Sequence, residues 1–135
     1  MVAELPTCLS LITCDEVAYD PLSGKPSLLG VIHELTSPVF PVHSSRVVVW
    51  AELTGIRGLL PIDFTALIQD PDNGLLVPVA AVRVPVVFPD SLGIVITGAY
   101  LEALPLIAPG LLVVRLAVDE AAIIERTIRV VRLSR

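Results

Sequence analysis

Gly24-Lys25, within the stretch DPLSGKPSLLGV from Asp20 to Val31, has the ending of a loop that cradles phosphate. Such a loop reads G-x-x-x-x-G-K-[ST], because the glycines let backbone amides close around the phosphates and the final hydroxyl ligates magnesium. In this chain Tyr19 occupies the first glycine's place, and Lys25 is followed by Pro26, which has neither a hydroxyl nor an amide hydrogen. The segment that follows, SLLGVIHEL, has strand character where the nucleotide motif requires a helix. Nucleotide binding is therefore not expected. The stretch instead reads as a hairpin entry, with Asp20-Pro21 and Ser23-Gly24 turning the chain and Lys25 exposed at the bend.

Other residues with chemical potential are equally incomplete. Asp70-Pro71-Asp72-Asn73-Gly74 begins like a calcium loop, but glycine comes at the fifth position instead of the sixth and no acidic residue closes the twelfth. His33 and His43 have no metal-ligand spacing, and His33 continues the row of Leu29 and Val31. Cys8 and Cys14 lie in one apolar strand at about 20 Å separation, well beyond disulfide reach, and no basic residue adjoins them to favour the thiolate. No G-x-S-x-G elbow is present for a nucleophilic serine. The arginines at 126, 129, 132 and 135 suit a solvated strand face better than a phosphate site. Asp15, Asp20, Lys25 and His43 remain as candidates for a small ligand or ion held by loops at one end of the fold. No cofactor is implied, and no enzyme is expected.

The elements that must position these residues are strands nearly throughout, since β-branched runs alternate with turn residues at short intervals. The expected strands are 8–14, 27–35, 45–54, 59–69, 75–88, 93–101, 111–118 and 122–133. Gly55-Ile56-Arg57-Gly58 reads as a tight hairpin, and Asp119-Glu120 joins the last pair. In 59–69, Leu60, Ile62, Phe64, Ala66 and Ile68 share one face, as in a sheet with one buried side. Pro78 and Pro85 mark 75–88 as an edge strand or a break between two shorter ones. The fold class is all-β: residues 1–135 form a single antiparallel β-sandwich of about eight strands, immunoglobulin-like in general architecture.

Composition narrows the function further. The chain of 135 residues carries a net charge of −5, which disfavours nucleic acid and anionic membrane as partners. Prolines and glycines interrupt every apolar run before the roughly 18 residues of a membrane-spanning helix. MVAELPTCLS lacks the positive start of an export signal, and two unbridged thiols suit a reducing, cytoplasmic setting. The informative excess is apolar. A sandwich buries only its inner faces, yet Val48 and Trp50 on the third strand, and Leu75, Val77 and Val79 on the fifth, fall on the opposite face from the core residues. Either a loop covers this excess, or these five residues form an outer aliphatic surface for self-association, giving a homo-oligomer, or for docking another protein, and the surface is the leading expectation.

LITCDEVAYDPLSGKPSLLGVIHELTSPVFPV also resembles the N-terminal signature of a widespread family of small bacterial proteins, a domain of unknown function. The matching positions are Cys14-Asp15, then Gly24-Lys25-Pro26-Ser27-Leu28-Leu29-Gly30-Val31, then Phe40-Pro41. The resemblance implies a β-sandwich and no particular activity. It departs at Asp119-Glu120-Ala121, where the family pattern has an Asp-Gly turn.

Overall fold

The computed structural model describes residues 4–133. Its strands in chain order are β1 (Thr7–Tyr19), β2 (Pro26–Val31), β3 (Glu34–Ser37), β4 (Val42–His43), β5 (Val47–Thr54), β6 (Gly58–Gln69), β7 (Leu76–Phe88), β8 (Val95–Leu101), β9 (Pro105–Leu106), β10 (Gly110–Val118) and β11 (Ala121–Arg132). One sheet has the order β2-β1-β5-β8 and the other β3-β11-β10-β6-β7, while β4 and β9 form a short separate ladder. All pairings are antiparallel except β3 with β11, which is parallel. The architecture is the expected β-sandwich, with eleven strands among the described residues in place of about eight. The additional strands arise because 27–35 divides into β2 and β3, and because β4 and β9 are each only two residues long.

The two sheets close on a core supplied by alternate residues. Val47, Val49, Ala51 and Leu53 of β5 meet Ile62, Phe64, Ala66 and Ile68 of β6, with Leu112, Val114 and Leu116 of β10 beside them. The segment Gly55 to Gly58 is not a hairpin. β5 and β6 belong to different sheets, and this segment is the arch that carries the chain across the core. Gly55 and Gly58 adopt φ of 95° and 111°, which side-chain-bearing residues rarely reach, and Ile56 between them is buried in the core. The flanking glycines let the chain reverse while the isoleucine plugs the crossing.

Hairpins do form at Asp20 and Asp70, and both use the same construction. In the first, Gly24 N donates to Asp20 O at 2.8 Å, Asp20 N to Lys25 O at 2.9 Å, and Leu22 N to the Asp20 carboxylate at 2.9 Å. In the second, Gly74 N donates to Asp70 O at 2.8 Å, Asp70 N to Leu75 O at 2.8 Å, and Asp72 N to the Asp70 carboxylate at 2.8 Å. Gly24 and Gly74 have nearly equal positive φ, 71° and 74°. The amides of Asp20, Leu22 and Gly24 are thus committed to the turn's own oxygens, and Lys25 N is held by Ser23 Oγ at 3.2 Å. The Gly24-Lys25 turn is structural.

Candidate functional site

The outward faces of the two sheets are both apolar but are treated differently. On the five-stranded sheet, Leu67, Val113 and Ala117 point away from the core and are nevertheless buried. Neighbouring positions on that face carry Asp63 with Arg83, Arg115 with Glu125, and Glu34 with Arg129, each pair joined across adjacent strands. Arginine stems of this kind cover aliphatic surface while their heads stay in water. This sheet supplies its own polar cover.

The four-stranded sheet does not. The pairings of β5 place Val48 beside Cys14 and Tyr100, Trp50 beside Ile12 and Gly98, and Glu52 beside Ser10 and Ile96, all on the outward face. Gly98 admits no side chain, because a Cβ there would run into the Val49 carbonyl. The position facing Trp50 is therefore open, with Ile96 and Tyr100 two residues to either side. The result is a groove of about 270 Å³ lined by Val48, Trp50, Ile96, Gly98 and Tyr100, together with Val17 and Tyr19 of β1. Val17 and Tyr19 would leave this face under strict alternation from Cys14. The β1–β2 pairing is interrupted at Asp15 and Gly30, where Gly30 has φ of 66° and the Asp15 carboxylate lies against it, and the hairpin arm beyond this point delivers both residues to the groove.

Both tyrosines and the single tryptophan of the chain therefore line one groove. Trp50 forms its floor at 7% exposure, while Tyr19 and Tyr100 stand on its rim at 61% each. The Arg46 guanidinium lies 4.9 Å from the centre of the Tyr100 ring, within cation–π range. At the opposite end Ser10 Oγ donates to Glu52 at 2.8 Å. The groove thus has an aromatic and aliphatic floor, a basic end and an acidic end.

Of the five residues expected to form the outer surface, Val48 and Trp50 line this groove and Leu75, Val77 and Val79 do not. Leu75 is exposed in the turn before β7, on the other sheet. A bulge opposite Ala66 and Leu67 makes Val79 the extra residue of β7, and it packs against the core. Past the bulge the alternation reverses, so Val77 pairs with Ile68 on the inward-facing side of the sheet, near its end, where it is still 41% exposed. Leu75, Val77 and Val79 therefore do not extend the surface around Trp50. Ile96, Gly98, Tyr100 and Tyr19 do, and they were missed because β8 carries no signal of which strand it flanks.

The loop candidates are dispersed. Asp20 and Lys25 share the first hairpin turn, Asp15 lies against Gly30, and His43 sits on β4 beside a smaller recess of about 120 Å³ lined also by Ser37, Ser44 and Ser45. Among the described residues no three of His, Cys, Asp and Glu converge as metal ligands would. The bond from the Leu22 amide, and then that from Ser23, hold the Asp20 carboxyl below the ordinary aspartate range. Cys8 faces the core and Cys14 the outward side, a consequence of the bulge between Cys8 and Ser10, and desolvation pushes both thiols up. The C-terminal arginines do not cluster: Arg126 meets His33 at 2.9 Å, Arg129 lies 3.7 Å from Glu34, and Arg132 stacks on Phe40. Arg135 lies outside the described residues.

Fold and groove together define a β-sandwich with an aromatic-lined recess on one exterior sheet face. The chain belongs to DUF6941, a family of unknown function, whose model matches residues 9–131. No curated protein matches it.

Proposed function

We propose that this protein is a non-catalytic binding module whose docking surface is the outward face of the four-stranded sheet, occupied by a second copy or by another protein. The observation that supports this most strongly is the gathering of Tyr19, Trp50 and Tyr100 in one exterior groove. Tyrosine and tryptophan combine a large rigid apolar body with a polar tip, and they dominate the energetics of protein interfaces. Among the described residues no arginine–carboxylate pair crosses the strands over the groove, whereas the other sheet carries three, and this supports the same reading.

Hydroxyl-radical footprinting in intact cells, compared with dilute purified protein, tests the proposal. Tyr19 and Tyr100 should be less reactive in cells than in dilute solution, while Leu22, 96% exposed at a hairpin tip, should react equally in both. Equal reactivity of Tyr100 in the two settings would sink the docking reading.

A further inference from the structure

The sandwich has four sheet edges, and three of them carry devices that discourage pairing. β7 contains Pro78 and Pro85, a bulge and Arg83. β2 begins with Pro26 and is kinked at Gly30, and β3 is four residues long and starts with Glu34. Prolines, charges, bulges and shortness are the usual means of blunting an edge. β8, VITGAYL, has no proline, no charge and no register shift against β5, and it ends the four-stranded sheet with its outer edge unpaired by any described strand. It is also the strand that forms one side of the aromatic groove.

We infer that the occupant of this edge is a second copy of the chain, with β8 pairing antiparallel to β8 of the partner about a two-fold axis at Gly98, so that the two four-stranded sheets become one of eight strands. This rests on the docking reading above and names its partner. In that register Gly98 faces its own counterpart, and Ile96 of each copy stands beside Tyr100 of the other, an aromatic and β-branched pair of the kind that stabilises strand pairing. Ile96 is half exposed and Tyr100 more so in the single chain. Charge selects the same arrangement. Glu52 lies in the row of Ile96, and Arg46 lies over the ring of Tyr100, so the two-fold brings the acidic end of each groove toward the basic end of the other. A parallel pairing would set like ends together. β7, the edge of the other sheet on the same side, is barred from an equivalent ladder by its prolines.

The test uses the full chain. Sedimentation from about 5 to about 500 µM should show a reversible dimer, a range that brackets the affinities expected of modest interfaces. Arg46→Glu and Glu52→Arg should each weaken it about tenfold, and the double exchange should restore it. For register, Ile96→Cys/Tyr100→Cys should give a disulfide-linked dimer on oxidation. Within one chain those positions are about 13 Å apart, beyond the roughly 7 Å limit of a disulfide, whereas across the two-fold they are neighbours. Ile96→Cys alone should stay unlinked. A monomer at about 500 µM, a single variant that links as readily as the double, or a charge exchange that fails to restore association would each overturn the inference. If the chain is monomeric yet Tyr100 is protected in cells, the second copy alone is overturned and the docking surface stands.

Discussion

Replacing Trp50 and Tyr100 in turn separates the two jobs that the groove's aromatics perform. Trp50 is 7% exposed and sits on the outward face between Ile12 and the side-chain-free position at Gly98. An indole so placed removes about 200 Å² from water, worth about 5 kcal/mol at about 25 cal/mol/Å². A compact unfolded chain already hides part of that area, which reduces the figure to about 3–4 kcal/mol. Trp50→Ala should therefore lower stability by about 3 kcal/mol and the melting temperature by roughly 10 °C. Tyr100, 61% exposed on the rim, should lose less than about 1 kcal/mol when cut to alanine, yet should weaken docking about tenfold. Urea unfolding followed by far-ultraviolet circular dichroism measures both without relying on the tryptophan itself. A loss below about 1 kcal/mol for Trp50→Ala would show that the indole is not packed as a floor, and the account of the groove would fail with it.

Four further outcomes follow from particular residues. Asp119 and Glu120 join β10 and β11 with φ of 47° and 69°, so Glu120→Gly should raise stability by about 0.5–1 kcal/mol, the relief of left-handed strain less glycine's extra freedom when unfolded. Glu120→Ala, which keeps the Cβ, should not; equal gains from both would point to charge instead. Ile56→Ala at the crossing between sheets should cost about 2–4 kcal/mol in the same unfolding assay, and a loss within about 0.5 kcal/mol would place Ile56 outside the core. Because the Asp20 carboxyl is held low by the amide of Leu22, its contribution to the first hairpin turn is present above the unfolded value of about 3.9 and is lost as pH falls through the folded one. Carbon-detected NMR titration should accordingly show Asp20 ionising below that value, and an ordinary midpoint would refute the turn geometry. Finally, desolvation raises the pKa of both thiols, so alkylation of Cys8 and Cys14 at pH 7 should be slower than that of a free thiol and of the urea-unfolded chain.

The sandwich was legible because strand periodicity depends on local sequence. Each of the eight expected segments overlaps a strand, and the expected core row Leu60, Ile62, Phe64, Ala66 and Ile68 packs inward. What the sequence did not disclose was non-local. Whether Gly55 to Gly58 is a hairpin or an arch depends on which sheet β6 joins, and the burial of Ile56 is the only local trace of the answer. The bulge at Val79 is also invisible to alternation, and a single extra residue was enough to send Val77 to the inward-facing side of the sheet. Trp50 was identified as facing outward, but its groove-mates Ile96, Gly98 and Tyr100 lie more than forty positions away and are brought to it only by β5–β8 pairing.

The placement of Trp50 also changes which substitution probes the surface. Read as an exposed residue on an aliphatic face, Trp50 invites replacement by glutamate. Its near-complete burial means that Trp50→Glu would leave a carboxylate against Ile12, Cys14 and Val48 with little water to reach it, and the fold would fail before docking could be judged. The residues that a partner meets first are Ile96 and Tyr100, on an edge strand whose outward groups are already solvated. A charge at Ile96 costs the single chain little and blocks an approaching strand directly, as natural sheets do with lysine on their edges. Ile96→Lys should therefore leave the urea midpoint within about 0.5 kcal/mol of the parent while removing the protection of Tyr100 in cells. If stability fell as far as it does for Trp50→Ala, β8 would be an interior element of the fold and no longer the open edge on which the docking surface depends.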